Sequence, residues 1–224
     1  MSDTFEELDR AAVERLERVL HGSRLLRNAL DELWAELPFP ANKRIVVVQG
    51  FSNVVRQHTG AQWVLVQHEL DVSALALVRP SYEALVRAVW ALRGAKDEWI
   101  EGFLSPVPEA VDSDAETRKG PDVSGMLKVI AENHPAAVYE PLAELKNATW
   151  RAMHSFVHGG IRAVAQSSMP FPHHEAGSML INANYMLMMV TNVVRMAHGL
   201  WSPTLPLLQQ QYADCLPPEP LPRK

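Results

Sequence analysis

The stretch VRPSYEALVRAVWAL, residues 78–92, decides the fold class because it combines a long apolar pattern with three charges on one helical face. Arg79, Glu83 and Arg87 stand at i, i+4 and i+8, and at about 100° per residue they span only about 80° of a helix surface. Nearly all other side chains of the stretch are apolar. The spacing therefore predicts an α-helix that is buried over most of its surface and carries one polar stripe.

The same 3.6-residue period continues in both directions and predicts an all-α, single-domain helical bundle of about five long helices plus short ones. Long helices are expected over about residues 4–37, 42–69, 72–94, from Pro135 or Pro141 to 166, and 175–200, with short ones over about 97–103 and 123–133. Residues 45–48, IVVV, have strand propensity, but a lone strand would have no partner in this bundle, so we expect helix there.

Prolines and capping residues give the expected helix boundaries. Pro38 and Pro40 end the first helix, because proline lacks the backbone N–H that continues a helix. Asn42 and Asp71 are expected to cap the second and third helices. Pro80 lies inside the third helix and is expected to kink it by one turn.

Two further segments decide the domain organisation. Residues 1–202 are expected to form the helical bundle domain, and residues 203–224 a proline-rich C-terminal tail that lies over the surface or is disordered. Residues 104–122 are rich in Pro, Asp, Ser and Gly and are expected to form a loop. Gly159 and Gly160 interrupt an apolar pattern that resumes at Ile161, so the helix is expected to continue through them with another backbone or a ligand close by.

Composition excludes several classes of protein. The 224 residues carry a net charge of −5, which excludes a globally basic protein that wraps nucleic acid but leaves a local basic patch open. Cys215 is the only cysteine, so an internal disulfide is excluded and a reducing, cytoplasmic location is expected. The apolar stretches 72–92 and 179–201 contain charged or amide side chains, so no membrane span is expected. No cofactor-binding motif or cysteine-based metal motif is found in the sequence.

The polar stripe of the third helix has two interpretations. A buried charge costs several kcal/mol unless it is paired, so Glu83 is expected to neutralise the arginines in a structural ion ladder. Two arginines and one glutamate leave one unbalanced positive charge, however. Arg79, Glu83 and Arg87 are therefore also a candidate binding site for a carboxylate or phosphate.

A second polar strip lies in KNATWRAMHSFVHGG, residues 146–160. Asn147, Arg151, His154 and His158 stand at i, i+4, i+7 and i+11 and lie within about 60° of one helix face. Solvated helix faces usually carry Lys and Glu, so a strip of His, Arg and Asn is more typical of a functional site.

Three chemistries fit this strip. His154 and His158 could ligate zinc with a third ligand from Glu83, His58 or His68. A histidine beside an arginine could instead move a proton while the arginine stabilises charge on a phosphodiester. The strip could also hydrogen-bond to the ion ladder of the third helix and form one structural network.

Two stretches together carry a resemblance to known families. LDVSALALVRPSYEALVRAVWAL (residues 70–92) and MHSFVHGG (residues 153–160) resemble a group of bacterial all-helical families of unknown function. Those families pair an Arg-(Pro/Ser)-x-x-Glu-Ala-x-x-Arg helix with a His-Gly/Ser-rich helix. The resemblance covers about residues 45–165; it implies an α-helical bundle and no chemistry.

The segment Arg151-AMHSFV-His158 also resembles HEPN domains, helical bundles that often act as metal-independent endoribonucleases. Their Arg-x(4–6)-His motif is usually completed across a dimer. The resemblance implies RNA as a partner, a homodimer, His158 as acid and base, and Arg151 as the group that stabilises the phosphate. Asn147 and His154 would orient those two side chains.

The alternative function is a non-enzymatic binding or interaction module in which the two polar strips face each other and take a small anionic ligand, a nucleotide or a protein. Arg15 and His21 also match the Arg-x(4–6)-His spacing, so the spacing alone is not specific. The polar helical surroundings of Arg151 and His158 favour that pair as the candidate site.

Overall fold

The structure, a computed structural model, describes residues 2–105, 120–157 and 160–218. In this part of the chain the secondary structure is helical, with no strand, which confirms the all-α class. The helices are α1 Ser2–Ala35, α2 Lys43–Gln67, α3 Asp71–Ala76, α4 Val78–Arg93, α5 Asp97–Leu104, α6 Val123–Asn133, α7 Ala136–Val157, α8 Ile161–Ser167, α9 His173–Ala197 and α10 Thr204–Gln211, followed by a 3₁₀ turn, Ala213–Cys215.

The core is built by α1, α2, α4 and α9, and α6 and α7 pack against α4. The apolar stripe of α1 is buried in this core, as its spacing predicted, through Val19, Leu26 and Leu30. The Trp34 Nε1–H of α1 donates a hydrogen bond of 3.0 Å to Thr191 Oγ1 of α9. Burial of the apolar stripes is therefore the main source of stability, with polar contacts fixing how the helices align.

The start of α2 agrees with the boundary that the sequence predicts. Asn42 occupies the N-cap position, and its side-chain oxygen accepts a hydrogen bond of 3.0 Å from the Ile45 N–H. The IVVV segment is helical, and its residues Ile45, Val47 and Val48 are buried. The sequence-based expectation of a capped helix here is confirmed.

The expected third helix is in fact two helices, α3 and α4, which meet at Leu77. Pro80 lacks the N–H that would donate to the Ala76 carbonyl, so the helix is interrupted one turn before the proline. Asp71 is the first residue of α3, and Leu70 occupies the cap position without a side-chain hydrogen bond. The predicted role of Asp71 as N-cap was therefore wrong.

The expected continuation of α7 through the two glycines was also wrong. α7 begins after Pro135 and ends at Val157, and Gly160 is the N-cap of α8. The Gly160 N–H donates a hydrogen bond of 2.7 Å to the Ser155 carbonyl. A Cβ on Gly160 would lie 2.6 Å from Ser155 Oγ and 3.1 Å from the Ser155 carbonyl oxygen. The close backbone approach that we expected is therefore present, but it occurs at a helix end.

The C-terminal segment is not disordered between residues 204 and 216. It forms α10 and the 3₁₀ turn, and it buries Leu205, Leu208 and Leu216. The Asn184 amide of α9 donates hydrogen bonds of 2.8 Å to the Cys215 carbonyl and to Ser23 Oγ. These contacts attach the end of the chain to α1 and α9. Most of the expected 104–122 loop, residues 106–119, lies outside the described part.

Candidate functional site

The polar stripe of α4 forms the predicted ion ladder. Arg79 Nε donates a hydrogen bond of 2.8 Å to Glu83 Oε1, and Arg87 Nη1 lies 3.4 Å from Glu83 Oε2. The side chains of Arg79, Glu83 and Arg87 are 20%, 25% and 24% exposed. One carboxylate is thus shared by two guanidinium groups in a position that is partly buried but reachable from solvent.

Arg87 is held less tightly than Arg79. The 3.4 Å contact is long for a hydrogen bond to a charged group. Within the described residues, Glu83 is the hydrogen-bond partner of the Arg87 side chain. A guanidinium carries five N–H donors in a planar fork, so most of those of Arg87 remain for another acceptor. The residues that flank it along α4, including Val86 and Ala88, are buried.

Two buried contacts fix α7 and the joint that precedes it against α4. The Tyr82 hydroxyl donates a hydrogen bond of 2.8 Å to the Leu142 carbonyl, and His134 Nε2 lies 3.1 Å from the Val89 carbonyl oxygen. Burial raises the pKa of Tyr82 far above its ordinary value, so this phenol stays protonated as a donor. The residue numbers rise along α7 as they fall along α4, so the two helices are antiparallel and α7 goes on to contact α3.

The second polar strip is described only in part. Asn147 lies on α7 and is exposed. Arg151 and His154 lie on the same helix, but their side chains are outside the described part, and His158 is outside it altogether. Whether the strip of α7 faces the ladder of α4 therefore stays a prediction.

A metal site is not found in the described part of the chain, where no three His, Cys, Asp or Glu side chains are placed to hold an ion. The side chains of His154 and His158, the pair considered for zinc, lie outside that part. His58 and His68 are described, and burial lowers the pKa of His58. A lowered pKa keeps the His58 imidazole neutral near pH 7.

The structure also has a cleft that the sequence did not predict. It has a volume of about 390 Å³ and lies between α4, the joint of α6 and α7, α9 and α10. Residues lining it include His134, Tyr185, Met188, Met189, Met196 and Trp201. The buried Nδ1 of His134 has no hydrogen-bond partner within the described residues, and burial, followed by nearby Arg93, lowers the pKa of this histidine.

The methionines of α9 differ in burial, and the two that are partly buried lie in the cleft. Met179 and Met186 are buried in the core, whereas Met189 and Met196 line the cleft and are only partly buried. The helical period of α9 shows which methionines share a face, but it does not show that α10 leaves a gap beside one of them. The one sequence signal for this cleft was the unusual number of methionines.

Comparison with known proteins identifies a family without assigning chemistry. The profile of a family of unknown function, DUF6988, matches residues 52–218, which is well over half of the chain. Neither the comparison with curated proteins nor that with solved structures gave a match. Within the described residues, no helix has both the length and the apolar character needed to cross a membrane.

Proposed function

We propose that this chain, a member of that family of unknown function, is a helical protein that binds an anionic ligand on the Arg79–Glu83–Arg87 ladder. The observation that carries the proposal is the shared carboxylate: one glutamate contacts two arginines, and the three side chains remain partly exposed. The three side chains together carry a formal charge of +1, and the donors that Arg87 does not use for Glu83 could bind an anion.

Arg87 is the side chain that would contact the ligand. Its guanidinium has a fork of donors that matches two oxygens of a phosphate or carboxylate. Glu83 would hold the ladder in place, while its own charge would repel the anion in part. The ligand chemistry is thus a phosphate or carboxylate group, carried either by a small molecule or by RNA.

Two variants with opposite expected effects test this proposal. Arg87→Gln removes the main contact, and loss of hydrogen bonds to a charged group is expected to weaken binding of inorganic phosphate or of a short RNA about 10- to 100-fold. Glu83→Gln removes the repelling charge and is expected to tighten binding of the same probes. Isothermal titration calorimetry at low and high salt measures both, and the two probes distinguish a free phosphate from RNA.

Arg93→Gln is the matched control, because Arg93 is an exposed arginine on another face of the same helix. It is expected to bind both probes as the wild type does. If Arg87→Gln and Arg93→Gln bind equally well, or if the wild type binds neither probe, the ladder is a structural feature and the proposal is wrong.

The second candidate is a metal-independent ribonuclease that uses Arg151 and His158, with Asn147 and His154 orienting them. It is supported by the spacing of the pair in the sequence, Arg151-AMHSFV-His158, and by the position of Arg151 on α7. Ser155, on the same helix, accepts hydrogen bonds from the N–H groups of Gly160 and Arg162.

Cleavage of RNA in the presence of a chelator tests the ribonuclease. His158→Ala and Arg151→Ala are each expected to abolish cleavage, while His21→Ala, in the second pair of matching spacing, is expected to leave it unchanged. RNA that stays intact after prolonged incubation with wild-type protein would exclude this activity without affecting the binding proposal.

A further inference from the structure

Helix α2 has an outer face that carries no charge. The α2 outer stripe consists of Val46, Gly50, Val54, Gln57, Ala61 and Val64, which lie within about 80° of one another on the helix. Its three valines are 41%, 37% and 45% exposed, Gly50 and Gln57 are exposed, and Ala61 is partly buried. A Cβ on Gly50 would meet nothing within 4 Å, so no other part of the described chain covers the centre of the stripe.

The outer face of α1 also faces water, and it carries many charged residues. The charged residues exposed there are Arg10, Glu14, Arg15, Glu17, Arg18, Arg24 and Glu32. The residues of α2 classed as exposed between Val46 and Gln67 carry no charge, and Arg56, whose side chain is 37% exposed, lies off the stripe and pairs with Asp31. Depletion of charge on an exposed surface is characteristic of the centre of a protein–protein interface.

The order of residues along the stripe points to a second copy of the chain as the partner. The stripe has nearly the same residue sizes in both directions from its centre, which lies close to residue 55. In an antiparallel pair related by a two-fold axis, Val46 would meet Val64, and Gly50 would meet Ala61. Small residues at that level would let the two helices approach closely, and the same patch would serve both subunits.

The charges at the two ends of α2 favour the same arrangement. Lys43 lies at the start of the helix and Glu69 just after its end, and both are exposed; Lys43 also contacts Glu101 within the subunit. An antiparallel pair brings Lys43 of each copy near Glu69 of the other, whereas a parallel pair would bring like charges together. We infer that the chain forms a homodimer through antiparallel packing of the two α2 outer stripes.

Gly50→Glu tests the inference without harming the fold. A glutamate there has open space in the monomer and is a better helix former than glycine, so the thermal stability of the subunit is not expected to fall. In the dimer, however, it would place a charge at the apolar contact. Sedimentation velocity over a range of concentrations is expected to show a wild-type dimer and a Gly50→Glu monomer.

Gly102→Glu is the matched control, because Gly102 is also an exposed helical glycine at which an added Cβ would meet nothing within 4 Å, and it lies off the stripe. This variant is expected to remain dimeric. A wild type that sediments as a monomer even at about 100 μM, or a Gly50→Glu variant that remains dimeric, would overturn the inference.

Cysteine cross-linking tests the orientation. Val46→Cys and Val64→Cys chains, mixed under mild oxidation, are expected to form a disulfide-linked dimer, since these positions meet across the proposed axis. The native Cys215 is buried and contributes little background. Disulfides between two Val46→Cys chains, without any disulfide between a Val46→Cys and a Val64→Cys chain in the mixture, would show parallel packing and overturn the antiparallel arrangement.

Discussion

Gly160 lies where α7 meets α8, and the neighbouring backbone leaves no room there for a side chain. The backbone of Ser155 lies so close that its carbonyl oxygen would be 3.1 Å, and its Cα 3.2 Å, from an added Cβ. Both distances are tighter than ordinary van der Waals contact, and a backbone cannot rotate away as a side chain can.

Gly160→Ala is therefore expected to lower the free energy of unfolding by about 1–3 kcal/mol, which is typical of an overpacked site. Gly102→Ala is the control, because its Cβ would meet nothing and alanine favours a helix, so a gain of about 0.5–1 kcal/mol is expected. Urea unfolding measures both. Equal stability of the two variants would mean that the joint has room for a side chain.

At the scale of elements, the ladder of α4 combines stability with the proposed binding function. Glu83→Gln leaves two partly buried arginines without their shared counter-charge, and loss of hydrogen bonds to charged groups is expected to cost about 1–3 kcal/mol. Thermal unfolding is expected to show this as a lower Tm. The control is Glu101→Gln, which breaks the more exposed pair with Lys43 and is expected to cost less than about 1 kcal/mol. Equal losses would contradict the special position of Glu83.

Asn184 helps to hold the C-terminal segment, from α10 to the 3₁₀ turn, against the helical core. Asn184→Leu removes the two hydrogen bonds that hold the Cys215 carbonyl and Ser23 Oγ, and it leaves both groups buried without their partner. We expect the segment from α10 onward to open more often, so that Cys215 becomes accessible.

Thiol labelling measures this opening directly. Burial raises the pKa of Cys215 to about 11, so the native thiol is almost entirely protonated at pH 8 and is expected to react slowly. Asn184→Leu is expected to increase the labelling rate at least about 10-fold, since a local free-energy change of about 1.4 kcal/mol gives that factor. The exposed substitution Ser178→Ala on the same helix serves as control. An unchanged rate in Asn184→Leu would show that other contacts hold the segment.

Across the whole molecule, the features that the sequence predicted correctly are those fixed by local structure, such as helix boundaries and caps. The helical period, the Asn42 cap and the prolines at 38 and 40 act within a few residues, and they placed α1 and α2 to within about two residues of their observed ends. The helix within the C-terminal segment was not predicted, because the prolines there are a local signal, whereas burial of Leu205 and Leu216 depends on helices far away in sequence. The cleft beside α9 could not be predicted for the same reason.

The same distinction between local and long-range contacts applies to the candidate site. The i, i+4 spacing of Arg79, Glu83 and Arg87 predicted the ladder, because partners one turn apart on a helix are fixed by helix geometry alone. The break at Gly160 depends instead on how Ser155 packs against the next helix, which no spacing encodes. The pairing of the α7 strip with the ladder is a long-range relation of this second kind.

Burial of histidines gives the whole molecule an expected response to acid. Burial lowers the pKa of His58, His134 and His198 below the ordinary value of 6.5, and nearby Arg93 lowers that of His134 further. The unfolded chain takes up protons at these side chains below about pH 6.5 while the folded chain does not. Their contribution to stability is therefore complete above about pH 6.5 and is lost as the pH falls toward the lowered values.

Urea unfolding is expected to show a lower midpoint at pH 5.5 than at pH 7.5, with at most about 1.4 kcal/mol lost per histidine over this range and less where solvent screens the side chain. His134→Gln is expected to reduce the difference between the two pH values, because its side chain does not titrate. Ser178→Ala is the control, since Ser178 is exposed and its side chain does not titrate, and it is expected to leave the difference unchanged. A midpoint that is the same at both pH values in the wild type would show that the folded protein protonates these histidines as readily as the unfolded chain does.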